Sequence, residues 1–166
     1  MTDSLRHQIL AKIQQTYQAI QPPDTSAPGY APSAADWPFA FSTVEIGPLS
    51  HEDQRKRYSI GIVVGQERES YLFPYIQCHL AVHIEFRVTV NQGDSKPGVV
   101  AEQVLTVVKR VVDVDRTWGG LAIDTKRIGT EIDLTSYDDK SVMGVLMLDV
   151  LYRHADSDVR SAQPDA

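Results

Sequence analysis

The chain has 166 residues, of which 22 are acidic and 16 basic, for a formal net charge of −6. That length makes one ordinary domain able to bury roughly 70% of its unfolded surface, and the acidic balance argues against a protein that grips duplex nucleic acid through lysine and arginine. It is compatible with a wall past which DNA slides, because negative charge repels the phosphate backbone. One cysteine, Cys78, supplies no disulfide and fits a reducing compartment. The opening MTDSLRHQILAKIQQTY lacks the basic and apolar regions of a signal peptide. No run approaches the ~20 apolar residues of a membrane span. A soluble intracellular chain is expected.

Leu5, Ile9, Ile13 and Tyr17 recur every four residues and Ile20 continues the stripe, which predicts an amphipathic helix capped by Asp3 or Ser4. QPPDTSAPGYAPSAAD, residues 21–36, carries four prolines and reads as an extended arm or loop. WPFAFSTVEIG (37–47) and KRYSIGIVVG (56–65) predict two strands, the second with Tyr58, Ile60, Ile62 and Val64 on one face. A short apolar piece, YLFPY, leads into IQCHLAVHIEFRVTV, residues 76–90. There every second residue from Ile76 to Val90 is apolar, and the other face is Gln77, His79, Ala81, His83, Glu85, Arg87 and Thr89. Such a strand spans about 50 Å where ordinary strands have about six residues. It is expected to overhang its own domain and to seek a partner.

SKPGVVAEQVLTVVKRVVDVD, residues 95–115, predicts a second helix despite its valines, because Glu102, Gln103, Thr106, Lys109, Arg110 and Asp113 mark one face at helical spacing. Asp94 or Ser95 is the expected cap, with Pro97 in the first turn. Gly119 and Gly120 turn the chain into LAIDTKRIGTEIDL, whose apolar parity switches after Ile123, as a bulge near Gly129 would make it do. TSYDDKS is a polar turn, and VMGVLMLDVLYRH (142–154) is apolar on nearly both faces, as a central strand is. The expected fold is α+β: a mostly antiparallel sheet of about five strands, one overlong, with two main helices packed on it, in the order α-β-β-β-α-β-β. Residues 1–154 form a single domain, and 155–166 are expected to be a disordered tail.

Cys78, His79, His83 and Glu85 are the residue types of a transition-metal site, but geometry opposes one. In a regular strand Cys78 points away from the histidines. His79 and His83 stand about 13 Å apart, too far to share a zinc with ligand bonds of ~2.0–2.1 Å. His83 and Glu85 could share a metal with ligands from elsewhere, a distant reading as a small metal-dependent enzyme. Asp133, Asp138 and Asp139 lack the spacing of a calcium loop. There is no phosphate-binding glycine loop and no nucleophile elbow. Arg55, Lys56 and Arg57 read as a solvated edge. No cofactor and no enzymatic activity are expected.

One segment is more specific: TWGGLAIDTKRIGTEIDLTSYDDKSVMGVLMLDVLYRH, residues 117–154. Its glycine pair, I-G-T-E-I-D strand, D-D turn and closing L-D-V-L-Y-R-H resemble tail-terminator (tail-completion) proteins of long-tailed bacteriophages. The long alternating strand, the valine-rich helix and, loosely, the first helix fit the same family. The resemblance implies a structural virion protein that forms a hexameric ring on the head-proximal end of the tail tube. Such a ring is assembled in the host cytoplasm, stops tube polymerisation, presents the docking surface for neck and head-completion proteins, and lets the genome pass through its lumen. Its implied partners are further copies of itself, the major tail tube protein and a neck protein, with no membrane. A neck connector of similar fold is the nearer alternative. Contact between subunits is expected on the polar face of strand 76–90, chiefly through His83, Glu85 and Arg87. His79, Asp138, Asp139 and Arg153 are expected to complete the subunit or tube interface.

Overall fold

Strict alternation organises the centre of the molecule. A computed structural model describes residues 3–50, 57–133 and 141–162, and its element order is α1 (Leu5–Gln18), β1 (Thr43–Ile46), β2 (Tyr58–Leu72), β3 (Tyr75–Thr89), α2 (Pro97–Val114), β4 (Asp124–Asp133), β5 (Ser141–Ala155) and β6 (Asp158–Ala162). Among the described residues these strands form one mixed sheet in the order β1-β2-β3-β5-β4, with β6 added to β5. The fold is α+β. β1 runs parallel to β2 and every other pairing is antiparallel.

Cys78, Leu80, Val82, Ile84, Phe86 and Val88 of β3 are fully buried, and Val142, Leu146, Leu148 and Val150 of β5 are buried beside them. Both helices cover this face. From α1, Leu5, Ile9, Ile13 and Tyr17 enter the core, and from α2 eight side chains between Val100 and Val112. The two helices and the inner sheet face share a single apolar cluster. Tyr17 ties the layers together, its hydroxyl donating to the Val108 carbonyl at 2.9 Å. The predicted polar face of α2 lies outside, with Glu102, Gln103, Thr106 and Asp113 exposed.

Several boundaries differ from expectation. The first strand shrinks to Thr43–Ile46, because Pro38 lacks a ladder donor and the aromatics before it pack as side chains instead. Phe39 stacks on Tyr58 at 4.0 Å between centroids. β2 continues to Leu72 through the polar QERES segment, since β3 offers an equally long template and a register shift between Val64 and Glu67 absorbs the change. β3 therefore does not overhang. It pairs with β2 on one side and β5 on the other along its length, so its backbone groups are used within the chain and the expected strand-addition contact through it is excluded. The α2 cap is Lys96 without a side-chain bond. Asp94 instead accepts from Arg57 and from the Asn91 amide.

The expected disordered tail is also corrected over residues 158–162. β4 pairs with β5 only as far as Leu151, leaving the end of that edge open, and β6 fills it at His154 and Ala155. Gln8 donates to the Arg160 carbonyl at 3.0 Å, fastening β6 to α1. The bulge near Gly129 is present as a register shift between Arg127 and Gly129. Ser4 caps α1, accepting from the His7 amide. The 21–36 segment is an exposed arm whose end is pinned. Arg110 of α2 donates to the carbonyls of Ala35 and Asp36, and its guanidinium lies 4.0 Å from the Trp37 ring centroid.

Candidate functional site

The second face of the sheet is the part of the molecule that no described helix covers. Alternation sends every residue between the core positions of β3 and β5 to this side, and register decides their neighbours. Arg87 stands opposite Met143, Glu85 opposite Val145, His83 opposite Met147, His79 opposite Leu151 and Gln77 opposite Arg153. All are half-buried, while the residues between them on the core face are buried. Five of the predicted site residues thus share one surface: His79, His83, Glu85, Arg87 and Arg153. Asp138 and Asp139 lie outside the described residues.

Each side chain has a distinct setting. His79 Nδ1 lies 2.9 Å from Asp149 Oδ2, a cross-strand pair half-shielded by the sheet. Arg87 Nη2 donates to the Met143 sulfur at 3.2 Å. Its Nε is sheltered from solvent and has no acceptor among the described residues. A guanidinium donor left in that state carries a desolvation cost that an incoming carbonyl or carboxylate would remove. Arg153 donates through Nε and Nη2 to the Gln77 side-chain oxygen at 3.0 and 2.8 Å, which holds the long side chain flat along the strand.

Reading residues singly missed the apolar part of this surface. Met143, Val145, Met147 and Leu151 of β5 form a stripe beside the polar residues of β3, and its signal was the doubly apolar character of VMGVLMLDVLYRH. The stripe runs between two shallow hollows. One, of about 240 Å³, is lined by Arg68, His79, His83, Ile128, Met147 and Asp149. The other, of about 160 Å³, has Glu85, Glu131 and Asp133 around Met143 and Val145. Both ends of the face therefore carry charges of both signs, with Arg87 on Met143 beside the carboxylates of Glu85, Glu131 and Asp133.

Among the described residues, His83 and Glu85 belong to no group of three metal-type donors. Three such donors that, among the described residues, come within 4.8 Å of one another are Glu67, Glu69 and Cys78, on the core side of the hairpin. Burial pushes the Cys78 thiol up to about 11, so it stays protonated at neutral pH, and the Tyr152 hydroxyl already donates to Glu67. Arg6 lies 3.7 Å from the same carboxylate. Glu67 is thus already engaged within the protein, while Glu69 is exposed.

The bare face can therefore bind a surface: it has an apolar stripe, a sheltered arginine donor and charges of both signs, without an activated nucleophile among its described residues. No family model matches the chain, and no curated protein matches it.

Proposed function

We propose that this chain is a structural subunit that caps the head-proximal end of a phage tail tube, in the manner of a tail terminator. Copies form a closed ring, the ring occupies the growing end of the tube, and its far surface gives the next tube subunit no template to add to. The same far surface joins the tail to the neck of the head. The genome passes through the lumen without sequence-specific contact.

The observation that carries this reading is the bare face of β3 and β5. A sheet face holding Met143, Val145, Met147 and Leu151 beside a sheltered arginine is built for a protein partner. β3 is fully paired, so the contact uses side chains and not an added strand. The resemblance of residues 117–154 to tail terminators supplies the kind of partner, and the net charge of −6 suits a channel that DNA must leave.

Mixing the purified chain with tail tube protein as it polymerises tests the role. Tubes shortened in proportion to added chain, each bearing extra density at one end, are expected. Tube lengths independent of the chain would remove the capping role and favour the neck connector.

A further inference from the structure

Ala81 lies on the bare face between His79 and His83, opposite Asp149 of β5, and its side chain is the smallest of that row. On the β2 side its neighbour is Gly65, where an added Cβ would stand 3.1 Å from the Ala81 Cβ. Two small residues side by side leave a pit in the sheet surface. This is the hollow of about 240 Å³ walled by Arg68, His79, His83, Ile128 and Met147. It falls below the ~300 Å³ at which pockets for whole small molecules begin. It has room for one side chain.

The charges around the pit are unequally engaged. Asp149, the one acidic residue of its described lining, turns both carboxylate oxygens to His79 Nδ1, at 2.9 and 3.2 Å. Lys126 of β4 stands opposite Asp149 on the same face. That carboxylate is therefore answered within the protein. Arg68 is not. It is exposed at the rim across from His79, and among the described residues it has no hydrogen-bond or ion-pair partner. Its guanidinium keeps its charge and five donors at any working pH. The opposite walls, Met147 and the 64% exposed Ile128, are apolar.

We infer that this pit is a receptor for one glutamate side chain of the partner protein, with the carboxylate on Arg68 and the methylenes on Met147 and Ile128. The inference rests on the tube-end reading of the bare face and names the group that the partner presents there. A guanidinium takes a carboxylate through two parallel hydrogen bonds, which the arginine offers and nothing described on its own chain accepts. A phosphate of nucleic acid fits less well on two counts. It brings no methylenes to the apolar walls, and its polymer would have to lie along a chain of net charge −6. One permanent cation beside an apolar wall, in a space for a single side chain, matches an acidic residue on a protein surface.

Nuclear magnetic resonance titration of the full chain tests the receptor, with acetyl-Leu-Glu-Leu-amide, its glutamine counterpart and inorganic phosphate as probes. The glutamate peptide is expected to give saturable shifts confined to Arg68, Ala81, His83 and their neighbours. The glutamine peptide is expected to bind roughly 10-fold more weakly, the loss of one charged hydrogen bond. Arg68→Ala should lose a similar factor and Arg68→Lys recover part of it, and neither change touches the core. Ala81→Leu, folded by circular dichroism, fills the pit and should abolish the shifts. Equal binding of the two peptides, no saturable shift at millimolar peptide, or undiminished binding by Arg68→Ala would each overturn the inference. So would phosphate saturating the same residues more tightly than the glutamate peptide. Glutamate-peptide binding by a chain that leaves tube length unchanged would preserve the receptor and remove the capping role. Ala81→Leu protein that shortens tubes as wild type does would preserve the capping role and overturn the receptor's part in it.

Discussion

Phe86 lies across Gly144. The two residues face each other in the β3–β5 register, and a Cβ built at Gly144 would stand 2.4 Å from the Phe86 ring and 3.0 Å from the Glu131 carbonyl oxygen. The ring occupies the space that a side chain on β5 would take, at the point where β3, β5 and β4 meet. Gly144→Ala is therefore expected to push the ring off its rotamer and cost about 1–3 kcal/mol. Thermal unfolding should show this as a melting point lower by several degrees. An unchanged melting point would mean that the ring moves aside freely.

The hydrogen bond from Tyr17 to the Val108 carbonyl joins α1 to α2 inside the core. Burial raises the Tyr17 hydroxyl far above its ordinary range, so it remains a donor at every pH at which the fold survives. Tyr17→Phe keeps the ring packing and removes the donor, with an expected cost of about 1 kcal/mol. Tyr17→Ala also opens a cavity and should cost about 3–5 kcal/mol. Urea midpoints of the two variants measure the difference.

Asp115 organises the turn after α2. Its carboxylate accepts from the Thr117 hydroxyl and amide and from the Gly119 amide, and the Thr117 hydroxyl bond is the main reason that its pKa is held below the usual carboxylate value. A depressed folded-state pKa means stabilisation that is present above the unfolded value of about 3.9 and is lost as pH falls through the lower, folded value. Asp115→Asn should therefore flatten the acid side of the stability profile as pH falls through about 3.9 and on through the lower folded value, while changing its slope little near neutrality. Identical acid profiles for variant and wild type would rule out this linkage.

Arg87 is the most exposed to failure of the bare-face residues, because its Nε has no acceptor among the described residues. Reversal to glutamate should weaken binding to the tube end by a few kcal/mol if the partner group is buried. The same change should leave folding nearly intact, since the Met143 contact is a weak one. Co-sedimentation of Arg87→Glu and Glu85→Arg with tube protein reads the effect. Undiminished binding and normal tail length for both would remove these residues from the interface.

How much of this was legible in the sequence follows from range. The two-residue period of 76–90 determines which side chains of β3 share a face, and the same logic places His79, His83, Glu85 and Arg87 together. The polar positions of α2 outweigh its poor helix formers, and the parity switch in 121–134 marks the bulge at Gly129. These are local signals. The QERES stretch gives no strand signal of its own and becomes one because β3 lies beside it. β6 exists because β4 stops short on a neighbouring edge. Trp118 reads as part of a glycine turn, yet it is fully buried with a positive φ of 52°, and its indole N–H donates to Thr125 at 2.8 Å.

Tail length in the absence of this chain tests the capping role most directly. On the proposed reading the gene belongs to a phage, so it is deleted from that genome and the lysate is imaged by negative-stain electron microscopy. Overlong tubes beside separate DNA-filled heads are the expected result. Tails of normal length that fail to join heads would move the chain to the neck, and intact infectious particles would contradict a role in the tail altogether.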